Sequence, residues 1–234
     1  MTAVSRKMRI TEISPQMVEE IRSFRLGPIP PDTSTDFTFV PGQFVQISTA
    51  PQESAHFAIA SAPEDRPFLE FLIKKGKGVA GAMFDLGVGN DLEITGPQGK
   101  GFPIDEHKGK NLLLIGVGTG IAPLRSALKS VLGRREDFGD LTFVYGVLTP
   151  QHFCYMNDLH HWSRNSVQVH LTVTFPEGTS WKGHAGFVQD VLRKIKPSPT
   201  NTVALLVGMN QMIQDNTQLL LEMGFAQENI LLNT

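Results

Sequence analysis

Beyond Gly109 the chain falls into an alternation that few folds accommodate. NLLLIG, LTFVYGV, VQVHLTV, ALLVG and NILLN are short apolar runs with strand character, and APLRSALKSVL, QHFCYMNDLHHW, GFVQDVLRKI and NQMIQDNTQLLLEM read as helices between them. Strands separated by helices pair in parallel, so this pattern predicts a parallel sheet with helices on both faces. The first half has a different rhythm. KMRITEIS, EEIRSFRLG, QFVQIST, HFAIAS, FLEFLIKK and DLEITG are apolar runs punctuated by Pro-Pro-Asp, Pro-Gly and Gly-rich stretches. That punctuation predicts antiparallel β structure closed into a small barrel, interrupted by a helix at VAGAMFDL, with GPIPPDTSTD a loop between two strands. The expected fold is β + α/β: an N-terminal antiparallel barrel over 1–108, then a C-terminal parallel α/β unit over 109–234. A chain of 234 residues gives each unit enough length to bury a core.

Charge and cysteine usage exclude several functions. With 21 basic and 23 acidic residues the net charge is −2, too little field of one sign to draw nucleic acid or an anionic membrane. The opening MTAVSRKMRITEIS lacks the apolar centre of a secretory signal, and no apolar run is long enough to cross a bilayer, so a cytoplasmic protein is expected. Cys154 is the single cysteine, which leaves no pair for a disulfide and too few thiolates for an iron–sulfur cluster. His152, Cys154, His160 and His161 share one segment, but their spacing does not set two ligands on one helix face, and no metal is expected. In that segment Tyr155, Leu159 and Trp162 are expected to pack inward.

One junction carries more chemistry than the rest. Leu112 to Leu128 reads LLLIGVGTGIAPLRSAL, a strand that breaks at Gly116, Gly118 and Gly120 and restarts as a helix with Pro123 in its first turn. Backbone amides approach a pyrophosphate most closely where no Cβ intervenes, and a helix N-terminus adds unsatisfied N–H groups with partial positive charge. The spacing is GxGxG rather than GxGxxG, so a phosphate cradle and a tight strand-to-helix connection both remain open.

GVGTGIAPLRS resembles the pyridine-nucleotide segment of the ferredoxin–NADP reductase superfamily, in which a β-barrel flavin domain precedes an α/β nicotinamide domain. PGQFVQIS, HFAIAS, GKGVAGAMFDL, GPQGKGF, VYGVLTPQHFCYMNDLHHW, WKGHAGFVQDVL and LLVGMNQMI follow the family's order over nearly the whole chain. The resemblance implies four clusters. At the family's Arg-x-Tyr-Ser flavin motif stand His56, Phe57, Ala58 and Ile59: Phe57 would stack on the isoalloxazine, His56 would donate to a phosphate, and Ala58 cannot hydrogen-bond at flavin N5. Gly76, Gly78, Val79, Ala80 and Gly81 would offer amides to the FAD pyrophosphate, without the serine or threonine usual at or beside Gly81. Gly116, Gly118, Thr119 and Gly120, with Pro123, would cradle the nicotinamide dinucleotide. At the family's Cys-Gly-Pro segment stand Val207, Gly208 and Met209, where Gly208 keeps the close approach and the thiol is lost.

The resemblance also bears on the coenzyme. NADP-specific relatives place arginines where this chain has Thr174-Phe175 and Val147-Leu148, so NADH is expected over NADPH, with Lys182 the cation near enough in sequence to matter. Two functions follow. The first is an FAD-dependent NAD(P)H oxidoreductase, with Phe57, Ala58, Val207 and Gly208 at the reacting rings and a separate protein or small molecule as electron acceptor. The second is a degenerate relative that keeps the fold as a nucleotide-binding or assembly module.

Overall fold

The computed structural model describes residues 4–30, 36–50 and 53–233. Its first sheet is antiparallel, with strands β1 (Val4–Pro15), β2 (Ile21–Pro28), β3 (Phe44–Ala50), β4 (Glu53–Ala58), β5 (Leu69–Lys74) and β6 (Asp91–Gln98) in the order β4-β3-β6-β1-β2-β5. A bridge between Ile59 and Phe71 joins the two ends, so the sheet is a nearly closed barrel. Strand alternation explains its core: Met8, Ile10, Phe24, Leu26, Val45, Ile47, Leu69, Phe71, Leu92 and Ile94 all turn inward. Helix α1 (Val79–Asp85) packs across β3 and β4 and adds Val79, Met83 and Phe84 to the same core. Part of the GPIPPDTSTD stretch, residues 31–35, lies outside the described residues.

The second sheet is wholly parallel: β7 (Asn111–Val117), β8 (Leu141–Val147), β9 (Val167–Val173), β10 (His184–Ala185), β11 (Thr202–Val207) and β12 (Ile230–Leu232), in the order β10-β9-β8-β7-β11-β12. The apolar run of β7 is continuous because both faces are covered. Leu112 and Leu114 pack with α2 (Ile121–Leu132) and α3 (Met156–Arg164); Leu113 and Ile115 pack with α4 (Val188–Ile195) and α5 (Asn210–Glu222). The expected β + α/β architecture is therefore the observed one. Among the described residues no helix is long and apolar enough to cross a membrane.

Two local expectations need correction, and one strand is additional. QHFCYMNDLHHW is not one helix: a 3₁₀ turn at Pro150–His152 precedes α3, and Tyr155 between them sits at φ 54°, which an α-helix does not allow. HFAIAS leaves the strand after Ala58, because the Ile59 amide turns to the Gln43 carbonyl and the Ala60 amide to the Glu70 carbonyl. The short edge strand β10 carries too little sequence to announce itself. Ile21, Ala60, Leu72 and Phe102 of the barrel also pack into the core that α2 shares with β7, so the halves meet along an apolar seam.

Candidate active site

Strand β7 has β8 on one side and β11 on the other, so the chain leaves the carboxyl ends of β7 and β11 in different directions and opens a crevice between them. The glycines lining it have unlike tasks. A Cβ on Gly116 would lie 2.6 Å from Leu124 Cδ1, and one on Gly120 would lie 3.1 Å from the Val207 carbonyl. Those two are small because α2 and β11 close on them. Gly118 differs: its φ is +53°, and a Cβ there would meet nothing within 4 Å. It presents bare backbone to open space at the approach to α2, where the Ile121 N–H already donates to the Gly118 and Thr119 carbonyls. The fully buried Tyr145 donates its Oη hydrogen to the Gly118 carbonyl at 2.8 Å, and burial pushes that phenol well above its usual range, so it stays a donor. Thr119 is half-buried beside Gly118, and Pro123 is buried in the first turn, where its absent N–H leaves no acceptor waiting.

Across the crevice, Val207 ends β11 in the core and Gly208 follows under Met212, whose Sδ would be 2.6 Å from a Cβ. Gly208 is thus fixed by packing from α5 as well as by any ring above it. Met209 is 73% exposed and precedes α5.

On the barrel side, Phe57 is half-buried against the barrel core. Its neighbours His56 and Ala58 point to the other face of β4. His56 is exposed and lies edge-on to Phe44, ring centroids 5.2 Å apart. The structure therefore does not bring His56 and Phe57 to one surface, a separation that the aligned motif does not convey. Ile59 is fully buried, so only its backbone could approach a ligand. Before α1, Gly78 stands at φ +60° with open space where a Cβ would be, and Gly76 is exposed beside it. Gly81 is another case: its amide already donates to the Gly78 carbonyl at 3.0 Å, and a Cβ on it would lie 2.5 Å from the Gly76 carbonyl. Of the amides expected to meet a phosphate there, that of Gly81 is committed elsewhere. Val79 is core and Ala80 half-buried.

The two sides come together. The Gly118–Gly120 turn lies against β5, β5 is bridged to the end of β4, and α1 covers β4. Both glycine turns present bare backbone to open space ahead of a helix, a geometry that fits a phosphate group. Residues beyond the expected set also shape the junction. Arg125, Ser126, Lys129 and Ser130 of α2 bond to barrel residues between Ala60 and Glu70. Their i, i+1, i+4, i+5 spacing was the available signal, a polar stripe on an otherwise apolar helix. Cys154 is buried, and burial first of all raises its thiol to about 11, so it is no nucleophile at neutral pH.

Residues 114–218 match the family model described as the oxidoreductase NAD-binding domain. The gamma subunit of sulfhydrogenase 1 from Pyrococcus furiosus is 32% identical over 206 residues, which is 86% of this chain and 69% of that protein. The reductase component of propane 2-monooxygenase from Rhodococcus jostii is 29% identical over 96% of this chain and 62% of its own length. Among solved structures, a ferredoxin NADP+ reductase from Neisseria gonorrhoeae with bound FAD and NADP superposes with a TM-score of 0.80 at 20% identity, covering 97% of each chain. With one relative above 30% identity across most of both chains, and the same two-sheet fold, this protein belongs to the ferredoxin–NADP reductase-like family of FAD/NAD-binding oxidoreductases, as a divergent member.

Proposed function

We propose that this protein is an FAD-dependent oxidoreductase that is reduced by NADH and passes electrons to a separate acceptor. One observation carries the reading: two glycine turns at positive φ, Gly78 and Gly118, each open toward free space and into a helix, on elements linked to one another through β4 and β5. In this reading the barrel unit, 1–108, holds FAD and the α/β unit, 109–234, holds the dinucleotide. Bound FAD would supply the two-electron acceptor, taking from nicotinamide C4 a hydride that oxidises NADH to NAD+ and leaves the electron pair on the flavin for onward transfer.

The chain's own residues bind and orient. Gly76, Gly78, Val79 and Ala80 give backbone to the FAD phosphates, and Gly118 and Thr119 with the start of α2 give backbone to those of the dinucleotide. Phe57 supplies an aromatic surface, while Val207 and Gly208 form the opposite wall. Ala58 offers no hydroxyl and Val207 no thiol, so rate enhancement rests on orientation rather than on a side-chain donor. Coenzyme choice follows from the ends of β8 and β9. Leu148 and Phe175 are 55% and 58% exposed and their backbones are paired at 2.8 Å, so apolar surface stands where a 2′-phosphate would need a guanidinium. Lys182 is exposed, but as a flexible point charge it is a weaker substitute. A separate acceptor agrees with the names of relatives called reductase components.

Visible spectra of the purified protein, taken before and after FAD and then under anaerobic NADH and NADPH, test this. The expected result is a bound-flavin spectrum bleached faster by NADH. A protein that fails to take up flavin at saturating FAD would overturn the reading in favour of a nucleotide-binding or assembly module.

A further inference from the structure

Helix α2 begins at the glycine turn and runs along the barrel. Arg125 on it is 7% exposed; its Nη1 donates to the Ala60 carbonyl at 2.9 Å and to Glu70 Oε2 at 3.1 Å, and its Nε to Asp158 Oδ2 at 2.5 Å. Ser126 Oγ donates to the Ser61 carbonyl at 2.6 Å, Lys129 Nζ to Asp65 Oδ2 at 2.6 Å and Ser130 Oγ to Glu64 Oε1 at 2.8 Å. Burial opposes the Arg125 charge, yet Tyr155, Glu70 and Asp158 outweigh it and hold the guanidinium above its ordinary pKa. Tyr155 lies beneath, its ring centroid 4.2 Å from Arg125 Cζ. It is kept there at φ 54°, a region costly for a residue with a Cβ, while its amide donates to Gln16 Oε1 at 2.8 Å.

A buried ion cluster adds little net stability over apolar packing, and its best attested use is to specify one arrangement among several. What this cluster specifies is readable from its ends. Arg125 follows Gly120 by little more than a helical turn, and the carbonyl that it holds belongs to Ala60, two residues after Ala58.

We propose that Arg125 is a positioning residue for hydride transfer, fixing the Gly118–Gly120 turn against the end of β4 and so the spacing of the two rings that those elements carry. The proposal rests on the function proposed above. Arg125 belongs to neither glycine cradle, so it governs the limiting rate of reduction rather than the affinity for either nucleotide.

The test is anaerobic stopped-flow reduction of FAD-loaded protein across a range of NADH, with Arg125→Lys and, because that change could impair folding, the milder pair Ser126→Ala with Lys129→Met. Arg125→Lys keeps the charge but not the forked set of bonds. Its limiting rate is expected to fall about tenfold to a hundredfold, with both nucleotide dissociation constants within about twofold of the parent. The double variant is expected to show a smaller fall of the same kind. Amide hydrogen exchange, read independently of turnover, is expected to rise together in residues 60–65 and in α2. An unchanged limiting rate, a loss confined to NADH affinity, or unchanged exchange in the variants would overturn the proposal. If the parent binds both nucleotides and is not reduced, parent and variants are equally inert; the oxidoreductase reading then fails, and the positioning role falls with it.

Discussion

Gly116 and Gly118 are a residue apart and ask for opposite experiments. Gly116→Ala forces a methyl to 2.6 Å from Leu124 Cδ1 inside the core, so a stability loss of about 1–3 kcal/mol is expected from thermal melts. Gly118→Ala meets no atom but must hold φ +53°, which costs roughly 1–2 kcal/mol, and its methyl intrudes where the dinucleotide phosphates are expected. Calorimetric titration should therefore show NADH affinity falling much further for Gly118→Ala than for Gly116→Ala. Tyr145→Phe removes one of the two hydrogens that the Gly118 carbonyl accepts, the Ile121 N–H being the other donor, and should cost about 0.5–1.5 kcal/mol in denaturant unfolding. The glycines were visible in the sequence, but their division of labour was not. A string of letters does not tell a glycine pressed by a helix from one facing open space.

At the scale of an element, α2 shows where periodicity stops informing. Its apolar face, Ile121, Leu124, Ala127, Leu128 and Val131, is enough to predict a helix against a sheet. The polar stripe from Arg125 to Ser130 reads equally well as a solvated face, and only its partners, 55 to 66 positions away in sequence, make it an interdomain contact. One consequence is a pH dependence. Burial works to raise the Asp65 pKa, but the bonds from Lys129 and the Ala62 amide prevail and lower it. A carboxylate with a depressed folded pKa contributes its stability above the ordinary value of about 4, and loses it as pH falls through the folded one. Acid unfolding should thus begin along this seam, and Lys129→Met should flatten the dependence of melting temperature on pH below about 4. A melting curve with the same acid slope in parent and variant would contradict this account. The alternation of β4 teaches a similar lesson. An aligned motif set His56 beside Phe57 as one ligand surface, whereas a period of two turns them to opposite faces.

For the whole molecule, the shared core of Ile21, Ala60, Leu72 and Phe102 with α2 and β7 implies that the halves do not melt independently. Scanning calorimetry should give one transition, and FAD at about a hundred times its dissociation constant should add about 2.7 kcal/mol to stability. Two resolved transitions would mean that the seam is too weak to couple the halves. The sequence alone determined both sheets apart from the short edge strand β10, the order of the other strands along the chain, helices on both faces of the parallel one, and the glycine turns. Those features rest on local periodicity and backbone conformation, which neighbouring residues dictate. Tertiary structure alone decided which glycines face open space, that His56 leaves the surface of Phe57, that the Gly81 amide is already taken, and that Arg125 joins α2 to the barrel. Each of these depends on atoms far apart in sequence meeting within hydrogen-bond or van der Waals range, and such meetings are fixed by packing rather than by pattern.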